Sequence, residues 1–113
     1  MVKLSPPEIF TRRADFLRLA AKGRKLARPG FVLQALTVPG APLRVGYTAT
    51  KKLGNAVARN RARRRLKEAA RLTLAARPLT GLELVLICRQ ETAALPFETL
   101  RDNLAAALFE LAP

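Results

Sequence analysis

Apolar residues fall into two different rhythms along this chain. In RRADFLRLAA, residues 12–21, Phe16, Leu17 and Ala20 recur at helical spacing, with Thr11 as the expected N-cap and Gly23 as the exit. FVLQALTV, 31–38, then reads as a strand. Pro39, Gly40, Ala41 and Pro42 form a turn, and LRVGYTAT, 43–50, reads as the antiparallel neighbour, with Leu43, Val45, Tyr47 and Ala49 on one face. A long helix is expected from about Asn55 to Arg77, stopped before Pro78. LELVLICR, 82–89, is apolar on both faces in its middle, as an interior strand covered on each side would be. Pro96 suits the first turn of a last helix, in which Phe97, Leu100, Leu104, Leu108 and Leu111 make one apolar stripe. Helix, strand, strand, helix, strand, helix is the pattern of a small α/β sandwich with helices packed on a sheet.

The long helix carries most of the information. At about 100° per residue from Arg59, Ala58, Ala62, Leu66, Ala69, Ala70 and Thr73 gather on an arc that faces the sheet. Arg61, Arg63, Arg64, Arg65, Lys67 and Arg71 fill the remaining arc, with Asn60 among them. Arg59 falls within the apolar arc, but it lies in the opening turn and can project past the helix end. Lys51, Lys52, Gly54 and Asn55 come just before. Gly54 permits a sharp strand-to-helix bend that gathers the two lysines beside the first helical turn, whose free N–H groups favour anions.

Charge sharpens this picture. The chain has 113 residues, of which half are apolar, so a single domain spanning 1–113 with a modest core is expected. It carries 21 Lys and Arg against 8 Asp and Glu, for a formal charge of +13. Residues 51–71 alone hold nine of those cations and one carboxylate, Glu68. A solvated helix face usually intersperses both signs at i,i+4 spacing. Here the counter-charges are missing, which points to a polyanion, and the excess of arginine over lysine favours phosphate as the group recognised.

Several chemistries are excluded. There is no histidine, Ser5 is the only serine and Cys88 is a lone cysteine in an apolar run. That removes a Ser/His/Asp triad, a Cys/His pair, a disulfide framework and any His-based zinc site. The eight acids are scattered without a DxD or ExxE pattern, so no catalytic residue is assigned and the metal ligands are left unknown. If the chain serves in catalysis, a partner supplies the reactive groups. The N-terminus lacks an apolar signal core, no run approaches a membrane span, and the lone thiol fits a reducing cytoplasm.

The run KKLGNAVARNRARRRLKEA resembles the signature of the bacterial ribonuclease P protein component, as do ADFLR at 14–18, FVLQAL at 31–36, RVGYTATKK at 44–52 and LVLICR at 84–89. The resemblance implies an α/β (α+β) two-layer sandwich like the second domain of ribosomal protein S5. It implies a small mixed sheet with three main helices, and the basic helix in a left-handed βαβ crossover, against the usual hand. It further implies binding of a catalytic RNA subunit by Arg59, Asn60, Arg61, Arg63, Arg64 and Lys67, joined by Lys51, Lys52 and Asn55. A separate cleft would hold the single-stranded 5′ leader of precursor tRNA, with Phe16, Arg12, Arg13 and Tyr47 as its candidate residues. Cleavage would rest with magnesium ions held mainly by the RNA, and the isolated chain would be inactive.

One departure concerns that cleft. Similar proteins line it with three aromatics, and here two of those positions are Ala20 and Gln34. Phe16 itself is either a cleft residue or a core residue, and Arg12, Arg13 and Arg18 either flank the leader or are solvated charges. The alternative function is a ribosomal or ribosome-assembly RNA-binding protein without a nuclease role. A helix-turn-helix DNA binder ranks lower, because the basic helix follows an extended strand and no DNA partner is expected.

Overall fold

The computed structural model describes residues 8–77 and 79–111, so the N-terminal stretch through Pro7 and the stop at Pro78 lie outside the described residues. The elements are β1 (Glu8–Ile9), α1 (Arg13–Lys22), β2 (Arg24–Arg28), β3 (Phe31–Thr37), β4 (Arg44–Thr48), a 3₁₀ turn (Lys51–Leu53), α2 (Ala56–Ala76), β5 (Leu82–Cys88), α3 (Gln90–Ala94) and α4 (Phe97–Leu111). Five strands form one mixed sheet in the order β1-β4-β5-β3-β2.

Strand β5 lies at the centre, parallel to β4 and antiparallel to β3. Its composition explains the position, because alternate residues feed two cores. Leu82, Leu84, Leu86 and Cys88 face the helical layer, where they meet Ala62, Leu66, Ala69, Ala70 and Leu74 of α2 and Leu100, Leu104 and Leu108 of α4. Val85 and Ile87 point to the opposite face, where α1 contributes Leu19 and Phe16, and Phe10 closes the cluster. The sheet and the α2–α4 layer are therefore the two main layers, and α1 covers part of the other sheet face.

The predicted β3–β4 hairpin does not form. Residues 38–43 make a six-residue connection, long enough to let the two strands separate, whereas β2 and β3 are held adjacent by the two-residue turn Pro29-Gly30. Instead β5 inserts between β3 and β4. Gly81 N–H donates to Ala41 O at 2.8 Å and Gly81 O accepts from Val38 N–H at 2.8 Å, so the linker is tied to the start of β5. β4 then has β1 as its other neighbour, in parallel register Glu8 to Arg44 and Ile9 to Val45. The connection β4–α2–β5 is a parallel βαβ unit, and it carries the basic helix across the sheet.

Local expectations hold at most helix ends. Asn55 caps α2, its side-chain oxygen accepting from Ala58 N–H at 2.9 Å. Gly54 adopts φ 119°, a conformation open to glycine, and this makes the bend between the 3₁₀ turn and α2. At α1 the N-cap is Arg12, not Thr11, and it has no side-chain cap bond.

Candidate nucleic-acid interface

Helix α2 presents its cations unequally. Arg61, Arg64 and Lys67 are exposed, Arg59 and Arg63 are half-buried, and Arg63 Nη2 donates to the side-chain oxygen of Asn60 on the same face. All eight acids lie among the described residues, yet only one meets this helix: Glu68 pairs with Arg71, Oε1 to Nη2 at 2.5 Å. The Arg71 hydrogen bond holds the Glu68 carboxyl below its usual range. Among the described residues none of Arg59, Arg61, Arg63, Arg64 or Lys67 forms an ion pair. The other acids are spent elsewhere, on Arg18, Arg28, Arg44 and Arg101, or stand alone.

Arg65 breaks the expected stripe. Its guanidinium turns inward and donates to Ala93 O at 2.6 Å and Leu95 O at 2.5 Å, the last carbonyls around α3. Those groups have no partner within so short a helix, so Arg65 ties α2 to the β5–α4 connection and is half-buried. Arg71, paired with Glu68, is likewise a weaker candidate for an external anion.

A cavity of about 510 Å³ opens on one flank of α2. Asn60, Arg63, Arg64 and Lys67 line it from the helix, and Phe10, Phe16 and Tyr47 line it from the sheet side. The expected cleft aromatics and the helix cations thus share one cavity instead of forming separate surfaces. Phe16 meets Phe10 edge to face, ring centroids 5.2 Å apart, and is half-buried, so it belongs to the second core and to the cavity wall at once. Burial raises the Tyr47 hydroxyl pKa further above the ordinary tyrosine range, so the group stays protonated well into the alkaline range. The remaining predicted residues lie outside this cavity. Lys51 and Lys52 are exposed on the 3₁₀ turn, Asn55 is occupied as a cap, and Arg12 and Arg13 are exposed at the start of α1.

Gly46 is a residue of this site that composition did not single out. A β-carbon there would stand 2.5 Å from Phe10 Cε2 and 2.9 Å from Phe16 Cε1, so the bare backbone of β4 is what lets both rings approach. Gly46→Ala is expected to destabilise the chain by roughly 1–3 kcal/mol through overpacking. Chemical denaturation checks this, and an unchanged midpoint would show that the rings have room to yield.

Of the two positions where similar proteins carry aromatics, Ala20 is exposed on α1 and Gln34 is 6% exposed on β3. Arg18, read as a leader contact or a solvated charge, is neither. Its Nη2 lies 2.8 Å from Asp15 and its Nη1 2.7 Å from Glu83 Oε1. Glu83 Oε2 also accepts from Arg44 Nη1 at 3.0 Å. Oε1 is close to Arg18 but poorly aligned for a hydrogen bond, so the contact is an ion pair. Arg44 further stacks over the Phe10 ring at 5.1 Å, and in this way the network fixes one wall of the cavity. Cys88 lies in the main core, where burial pushes its thiol up to about 11 against the pull of Arg63, and it is inert near neutral pH.

Residues 4–112 match the family described as Ribonuclease P. The ribonuclease P protein component of Gluconacetobacter diazotrophicus is 50% identical over 98 residues, covering 86% of this chain and 84% of that protein. Its counterpart in Symbiobacterium thermophilum is 45% identical over 101 residues, covering 88% and 86%. The solved ribonuclease P protein from Thermotoga maritima superposes with a TM-score of 0.73 at 25% identity, covering 94% of this chain and 99% of that one. The protein from Staphylococcus aureus gives the same score and identity, covering 91% and 94%.

Proposed function

From the premise that the chain belongs to the ribonuclease P protein component family, we propose that it is the RNA-binding subunit of a ribonucleoprotein that removes the 5′ leader from precursor tRNA. The carrying observation is the cationic face of α2, whose Arg61, Arg64 and Lys67 are exposed and have no carboxylate among the described residues. Phosphates of a folded RNA subunit supply the missing charge. Such contacts are charge-assisted and forked where arginine makes them, and they release counterions on binding.

The cavity beside that face suits an unpaired nucleotide. Phe16 offers a ring to a base, while Arg64 and Lys67 stand where a phosphate would lie. With Ala20 and Gln34 in place of aromatics, leader affinity depends more on Phe16 and on charge than in proteins with three rings. Arg12 and Arg13, exposed on α1 outside the cavity, extend the cationic surface toward the leader backbone. Lys51 and Lys52 do the same for the RNA subunit.

Bond breaking is assigned to the RNA subunit and its magnesium ions. In this reading the protein's part is to bind, orient and neutralise. No helix of the described residues is long and apolar enough to cross a membrane.

Reconstitution tests this reading. The purified chain should cleave no precursor tRNA alone, and it should raise cleavage by its cognate RNA subunit at low magnesium, where the RNA by itself is slow. Cleavage by the chain without RNA would overturn the assignment of roles.

A further inference from the structure

A second cavity lies at the far end of α2, between its last turns and α4, and nothing in the proposed function uses it. Its volume is about 500 Å³, within the range of ligand pockets. Leu72, Leu79 and Leu108 form an apolar floor, and Phe109, Arg77 and Arg101 stand at the lip. Phe109 is 60% exposed, and the Arg77 guanidinium lies 4.3 Å from its ring centroid. The one acid present, Asp102, is 3.8 Å from Arg101, which leaves Arg77 with no carboxylate among the described residues.

The two cavities sit on opposite flanks of one helix. At about 100° per residue, Lys67 and Leu72 are separated by roughly 140° around α2, so a strand held at the first cavity does not lie over the second. Their chemistry also differs. The first is walled by cations and fits a backbone as well as a base. The second combines an apolar slot, a ring and a guanidinium stacked on it, which is the set of surfaces that receives a base turned out of its stack, with the lip cations meeting its phosphate. A purely aliphatic segment of another protein would fill the floor but leave the cations at the lip without counter-charge.

We propose that the slot between α2 and α4 holds an unpaired nucleotide of the RNA subunit, giving that RNA a second grip on the chain. This rests on the reading of α2 as the RNA-subunit face, because the leader belongs to the cavity on the other flank.

The test compares full-length variants in binding to the RNA subunit alone, and then in binding of precursor tRNA to the preassembled complex. Phe109→Ala should weaken RNA-subunit affinity on the order of tenfold, and Arg77→Ala should weaken it and lower the slope of log K against log salt by about one. Phe109→Leu, which keeps the packing and removes the ring, should show the same loss with an unchanged unfolding midpoint. Precursor-tRNA affinity of the assembled complex should not change. If Phe109→Ala and Phe109→Leu bind like wild type while Arg61→Ala is weakened, the slot is empty of RNA and only this proposal falls. If all three bind like wild type, the reading of the α2 face falls with it. A loss confined to precursor tRNA would place the substrate there instead and also overturn the proposal.

Discussion

Glu83→Gln is expected to lower the unfolding midpoint of the free chain by about 10 °C, equivalent to about 2–3 kcal/mol for a domain of this size. Glu83 is 4% exposed on β5, the central strand, and its two oxygens face Arg18 and Arg44. Glutamine keeps the shape and removes the charge, so Arg44, itself mostly buried, loses its shortest carboxylate contact and keeps only the longer ones, to Asp15 at 3.5 Å and Glu8 at 3.6 Å. Breaking a fully buried pair costs more than this, but both arginines keep a route to water, which softens the loss. Thermal or urea unfolding reads the effect directly. A midpoint within about 2 °C of wild type would show that the cluster is hydrated and contributes little. A second consequence is local. With Arg44 loosened, the Phe10 ring loses its stacked partner, so the cavity wall should shift as well.

Removing Arg61, Arg64 and Lys67 together is the second large effect. The triple alanine variant should bind the RNA subunit roughly a hundredfold more weakly at moderate salt, with the slope of log K against log salt reduced by about two to three. None of the three has an acidic partner among the described residues and all are exposed, so folding stability should stay near wild type. Phe16→Ala should behave differently. It leaves that slope nearly intact and mainly narrows the preference for precursor over mature tRNA, because it removes a ring and no charge. Because Arg64 and Lys67 line one cavity with Phe16 whereas Arg61 lies outside it, partial overlap is expected, with Arg64 and Lys67 the residues that contribute to both readouts. Filter binding across a salt series, with matched precursor and mature tRNA, separates the two. An unchanged salt slope in the triple variant would mean that phosphates contact some other surface.

Much of this was legible because helical periodicity is local. The arc of Ala62, Leu66, Ala69 and Ala70 on α2 and the two-faced apolar run of β5 are written in consecutive residues, and both lie where periodicity put them. Strand order is not local: whether β3 and β4 pair depends on where β5 inserts, and β5 follows only after the whole of α2. β1 escaped notice because two residues carry no rhythm. β2, RKLAR, escaped because its charges look like a helix exit, although exposed cations are a common guard on an edge strand. Within the site, the exposed cations of α2 were readable as a class but not individually. Arg65 shares the stripe of Arg61 and Arg64, and only the position of α3 turns it inward. Glu83, Arg18 and Arg44 look like scattered charges until the sheet and α1 bring them together. Gly46 carries no local signal at all, since what requires it is the approach of two rings from elsewhere in the chain.

The central claim is that the exposed cationic face of α2 is completed by the RNA subunit. A photoreactive benzoylphenylalanine at position 61, irradiated in the complex assembled with RNA subunit and precursor tRNA, reports what lies against that face. An adduct on the RNA subunit is the predicted result. An adduct only on the tRNA leader, or no RNA adduct from a complex that remains active, would contradict the account.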